Sequence, residues 1–207
     1  MKHKLASTIS FVFHPLLMST VMFAILVLYA PNTIFPFHVS NKAQWLMVLM
    51  VFLTTFLIPS LSLLILKLTQ SISSLSLFDR KERVVPFFYT TIFYGITAYL
   101  FGRQLGLDSI IVWLLGGTTI IILFSAIITT RWKISAHAAG VGGFVGYLLA
   151  LRIDYVEPEM NFLIAFGFVV SGFVLSSRLY LDAHTPRQVY AGFGLGLFIS
   201  FVTLYLS

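Results

Sequence analysis

The chain has 207 residues, of which 58% are hydrophobic and only 10% charged, with a formal net charge of +6. A soluble domain of this size needs many more charges to cover its surface, so the composition excludes one and points to the membrane. There is no cysteine, which excludes disulfides and thiol chemistry. No basic stripe is interleaved with exposed aromatics, which excludes nucleic acid as a partner.

The N-terminal run MKHKLASTISFVF places positive charge before apolar residues, as a signal peptide does. The run continues to about Ala30 without a small-residue cleavage site, so it is read as a first spanning helix that stays. A span needs about 20 apolar residues. Further candidates follow at about 45–67, 86–104, 109–130, 134–151, 161–181 and 187–206, after the first at about 9–30. The expected fold is therefore all-α: a polytopic membrane helix bundle of about six to seven transmembrane helices. It forms a single domain over residues 1–207, with brief connections and no linker or low-complexity tract.

Polar residues cluster between the spans. Asp79-Arg80-Lys81-Glu82-Arg83 lies between the second and third spans. Arg131-Trp132-Lys133 and His137 lie between the fourth and fifth, and Arg178 to Arg187 between the sixth and seventh. Successive spans alternate direction, so these three clusters and the N-terminus share one face. That face holds ten of the basic residues; Lys42, Arg103 and Arg152 lie on the other. The positive-inside rule leans toward a cytoplasmic cluster face. Setting aside Arg80, Lys81, Arg83 and Arg178 as substrate groups leaves six against three. The expected location is the cell (inner) membrane.

Ionisable groups at the border of a hydrocarbon slab are costly and usually have a role. Arginine grips phosphate bidentately, and neutral histidine is a nucleophile or proton carrier. His184-Thr185-Pro186 looks like a helix start, with Thr185 as cap and Pro186 in the first turn. His137 sits near the start of the fifth span, so two helix N-termini are expected to point free N–H groups at one anion. Gly142/Gly146 and Gly192/Gly196 have the small-xxx-small spacing that lets membrane helices pack closely. His3, His14 and His38 have no partner in the pattern. His14, beside Pro15 within a span, is read as structural.

The stretch SRLYLDAHTPRQVYAG, Ser177 to Gly192, resembles the SRxxxxxHxxxD signature of the type 2 phosphatidic acid phosphatase superfamily. Ser177, Arg178 and His184 match in identity and spacing. Ile134-Ser135-Ala136-His137 resembles the second motif, PSGH, at its serine and histidine. Arg80-Lys81-Glu82-Arg83-Val84-Val85-Pro86 resembles loosely the first, KxxxxxxRP, with its spacing off. The likeness covers roughly residues 79–200.

The resemblance implies a membrane lipid phosphate phosphatase, working without metal or other cofactor through a phosphohistidine. It implies His184 as nucleophile, His137 as general acid and Arg178 as main phosphate clamp, with Lys81, Arg83, Arg80 and Ser135 as phosphate-binding groups. The implied partner is a phosphorylated membrane lipid of the phosphatidate, phosphatidylglycerol phosphate or undecaprenyl pyrophosphate type. One position departs: the aspartate four residues after the nucleophile is Gln188. An aspartate orients the imidazole and stabilises its positive charge; glutamine accepts a hydrogen bond but is uncharged. Gln188 itself or Asp182 is the expected orienting group, with Asp79 a further source of charge. Two other readings stand beside phosphatase activity: a non-catalytic relative that binds or carries a lipid phosphate, and an intramembrane prenyltransferase. The second needs clustered aspartates to hold magnesium, and the acidic residues form no such cluster.

Overall fold

The computed structural model describes residues 2–31, 35, 39–75, 77, 79–105, 109–154 and 158–207. His38, named above, lies outside them, as do Asp108 and Glu157 of the acidic residues. Among the described residues the protein is an all-α bundle with seven helices long and apolar enough to cross a membrane. In chain order the helices are α1 (Lys2–Val12), α2 (Met18–Tyr29), α3 (Asn41–Phe52), α4 (Ile58–Leu68) and α5 (Arg80–Leu105). Then come α6 (Ile110–Thr129), α7 (Ala136–Asp154), α8 (Pro158–Tyr180) and α9 (Pro186–Tyr205). The spans agree with the hydropathy pattern, but three details depart from it, and those in the first and third spans shape the site.

The first span is two helices. A residue before proline is pushed out of the α region, and proline itself cannot donate to the preceding turn. His14 accordingly has φ −63° and ψ 135°, and a 3-10 turn over Pro15–Leu17 joins α1 to α2. The break leaves the Ser10 carbonyl without its helical donor.

The second span bends differently. Pro59 falls near the start of α4, and a π-helical turn over Leu53–Leu57 absorbs the mismatch between α3 and α4. The third span begins six residues earlier than its apolar run suggests, at Arg80. Asp79 caps it by accepting the Lys81 N–H at 2.9 Å. Pro86 is close enough to the helix start for its missing N–H to matter little. The early start places Arg83 one turn inside the helix rather than in a loop.

The tightest packing lies between α7 and α9, which share the largest helix–helix interface. A Cβ on Gly142 or Gly146 would strike the carbonyls of Phe193 and Leu197 on α9. One on Gly196 would strike the Ala139 carbonyl on α7, and one on Gly192 would meet the Ser135 oxygen at 2.6 Å. Backbone thus lies against backbone, as the glycine spacing predicts. Gly194 faces open space and has no such role. The interface holds the start of α7 beside the start of α9, where Ser135 N donates to Gln188 O at 3.3 Å.

Candidate functional site

His184 occupies the short turn between α8 and α9. The turn is tight because Asp182 adopts the left-handed region at φ 49°, and it buries His184 to 7% exposure. Gln188, one turn into α9, reaches back to it. Its Oε1 accepts from His184 Nδ1 at 3.1 Å and from the Thr185 backbone N–H at 3.2 Å. Two donors on one atom identify it as the amide oxygen, so Nδ1 carries the imidazole proton. The Nε2 atom keeps its lone pair, which accepts from Arg83 Nη1 at 3.4 Å. Gln188, not Asp182, therefore orients the ring: Asp182 is exposed and makes no hydrogen bond to His184 among the described residues.

Burial in an apolar turn disfavours the imidazolium, and the neighbouring Arg83 charge adds to this. Together they push His184 down to about 3, although the Gln188 hydrogen bond works the other way. Lys133 is also lowered, by burial first and then by Arg83 and Arg178. It belongs to the same positive field rather than only flanking a span.

Arg83 is a buried cation, only 6% exposed. Its Nε donates to the Leu77 carbonyl, which steers the guanidinium toward His184. Arg178, near the end of α8, donates from Nη1 to Ser10 Oγ at 3.2 Å, and its Nε is buried with no partner. Among the described residues neither guanidinium bonds a carboxylate. Unpaired buried charge costs several kcal/mol per ion in practice, roughly. Arg83 is buried and Arg178 half-buried, and an anion between them would offset that cost.

His137, in the first turn of α7, donates from Nε2 to the Ser10 carbonyl freed by the Pro15 break, at 3.0 Å. The acceptor is a carbonyl, so the nitrogen must be the donor. His14 meets the His137 ring edge-on, with centroids 5.6 Å apart.

These groups surround one cavity of about 160 Å³, lined by Arg83, Arg178, His14, His137 and His184 at its polar end. Its remaining wall is largely apolar and runs past Met22, Phe23, Leu63, Phe87 and Leu114 to Tyr147. The shape suits a charged headgroup joined to a hydrocarbon chain.

Three expected phosphate-binding groups stand elsewhere. Arg80 Nη1 caps the end of α6 by donating to the Thr129 and Thr130 carbonyls. Lys81 is exposed and does not line the cavity. Ser135 is wholly buried, and its hydroxyl accepts the Ala138 N–H at 3.4 Å as the cap of α7. Sequence reasoning missed Ser10 and His14 of the first span. A histidine next to proline inside an apolar run was the signal: a polar group at a helix break within the bilayer rarely lies idle. Among the described residues no three His, Asp or Glu side chains are grouped to hold a metal ion.

The fold and site together define a class: a polytopic α-helical membrane protein with a cationic pocket, free of carboxylates among the described residues, that opens onto an apolar chamber. No family model, curated protein or solved structure matches the chain.

Proposed function

We propose that the protein is an integral-membrane lipid phosphatase, hydrolysing a phosphomonoester or pyrophosphate of a lipid through a phosphohistidine. The observation that supports it most is the placement of the His184 Nε2 lone pair beside Arg83, in a cavity that also holds Arg178 and continues into an apolar chamber. Phosphoryl transfer asks for positioned cations and an in-line nucleophile more than for elaborate covalent machinery.

In this reading Arg83 and Arg178 hold the phosphoryl oxygens. Once Arg83 has turned its Nη1–H from Nε2 to a phosphoryl oxygen, His184 Nε2 attacks phosphorus, the P–O bond to the lipid breaks, and the leaving oxygen takes a proton. Gln188 holds Nδ1–H as the ring becomes positive. Water then attacks the phosphohistidine, releasing phosphate and restoring the free imidazole. His137 is the proposed donor to the leaving oxygen. To act so, it must leave the Ser10 carbonyl and carry a second proton.

The uncharged Gln188 and the engaged His137 favour one second reading, a relative that binds or carries a lipid phosphate without turnover. One experiment separates the two. Purified protein in detergent, without metal, is given a panel of lipid phosphates, and both phosphate release and acid-labile phosphohistidine are measured. The phosphatase reading expects both in the wild type and neither in His184→Ala. Release unchanged in His184→Ala overturns the mechanism. Saturable binding with no release and no labelling establishes the non-catalytic reading.

A further inference from the structure

We propose that His14, from the first span, is a fixed N–H donor to the bound phosphoryl group and the third histidine of the site. The inference rests on the anion site proposed above, and adds a residue that lies outside all three motif-like segments.

His14 Nδ1 accepts the Leu16 backbone N–H at 3.3 Å. A nitrogen that accepts cannot carry the proton, so the neutral ring holds it on Nε2. The backbone that makes this bond is created by Pro15, whose 3-10 turn brings the Leu16 N–H round to the preceding side chain. The tautomer is therefore set locally, by the backbone turn that follows His14. Ring nitrogens elsewhere in the site are differently committed. His137 spends its Nε2–H on Ser10, and His184 spends its Nδ1–H on Gln188. Among the described residues His14 Nε2–H alone of the three has no protein acceptor, and the residue lines the cavity with both arginines.

A neutral imidazole with one free N–H is a hydrogen-bond donor to anionic oxygen and not a proton donor. Such a group adds direction to the charge supplied by Arg83 and Arg178. It also makes the first span a wall of the site, since Ser10 and His14 stand on either side of the same helix break.

The test compares His14→Phe with His14→Gln. Phenylalanine keeps a ring against His137 and Phe56 but has no donor. Glutamine places an N–H near the position of Nε2. Inhibition by orthovanadate and kcat/KM on the best substrate of the panel are both read. Loss of one hydrogen bond to a charged oxygen predicts that His14→Phe weakens both by about 10- to 100-fold. His14→Gln should restore most of that loss. Equal behaviour of His14→Phe and wild type overturns the inference, as does an equal loss in both variants, which marks a packing role. Should His14→Phe fail to fold, the 15N resonance of His14 Nε2 in histidine-labelled wild type decides, identified by its absence from His14→Gln. It should shift on adding vanadate, and an unmoved resonance in a vanadate-saturated sample overturns the proposal. Wild type that neither binds vanadate nor releases phosphate refutes the phosphatase reading itself, which separates the two failures.

Discussion

Gln188 carries the largest chemical question at a single position. An aspartate in its place would be expected to bring charge; the glutamine brings one carbonyl oxygen shared between His184 Nδ1 and the Thr185 N–H. That arrangement is sufficient to fix the tautomer and orientation of the His184 ring. It does nothing to favour the imidazolium beyond a hydrogen bond, and burial beside Arg83 holds the ring neutral. Two substitutions separate orientation from charge. Gln188→Met removes the acceptor while keeping the length, and should lower kcat/KM for lipid phosphate by about 100-fold or more, in line with the cost of a mis-set tautomer in a catalytic triad. Gln188→Glu keeps the acceptor and adds charge, and should raise the His184 pKa measured by 15N NMR. An unchanged kcat/KM in Gln188→Met would show that the ring is held by its burial alone. The identity of Gln188 was legible in the sequence. That it, and not Asp182, reaches His184 depends on the α9 start, where a one-turn spacing returns the side chain to the cap.

At the scale of elements, two devices place the site: glycine packing and proline breaks. Gly142, Gly146, Gly192 and Gly196 let α7 and α9 touch backbone to backbone, which brings His137 and His184 to neighbouring helix starts. An alanine methyl at Gly196 has no room beside the Ala139 carbonyl, whereas one at Gly194 meets nothing within 4 Å. Overpacking of this kind costs about 1–3 kcal/mol. Gly196→Ala should therefore lower the thermal midpoint in detergent and reduce activity with it, and Gly194→Ala should leave both unchanged. Equal midpoints for the two variants would show that the glycine seam does not hold α7 against α9. The seam was readable as spacing in the sequence. The consequence of Pro15 was not, because a break within an apolar run has no hydropathy signal, and its effect is to free a carbonyl and turn a side chain some 120 residues from their partner.

The whole molecule gathers positive charge at one end of a hydrophobic bundle. His184 is neutral when folded and protonates readily when unfolded. Its folded pKa, about 3, lies below the ordinary 6.5. Between those values the unfolded chain binds more protons, so stability falls as pH falls. The loss amounts to at most about 1.4 kcal/mol per pH unit for one such group. The thermal midpoint in detergent should be flat above pH 7 and decline from pH 6.5 toward 4, and His184→Gln should shallow that decline. A decline of the same slope in His184→Gln would assign the acid sensitivity to other groups.

The sequence alone determined that the chain is helical and spans the membrane, because hydropathy over about 20 residues is a local property. Alternation of direction then put the polar clusters on one face without any knowledge of packing. Local pattern also marked the helix start at Pro186 and the glycine seam. Tertiary structure alone decided which members of each cluster meet. Arg83 turns inward while Arg80 and Lys81, its close neighbours in sequence, cap α6 or face outward. Residues adjacent on a helix point about 100° apart, so the helix register selects among them, and register is set by where α5 begins and by what packs against it. The same is true of Ser10 and His14: His14-Pro15 marks a break in the sequence, but the contacts are made across the bundle to α7 and α8, and local pattern does not name such distant partners.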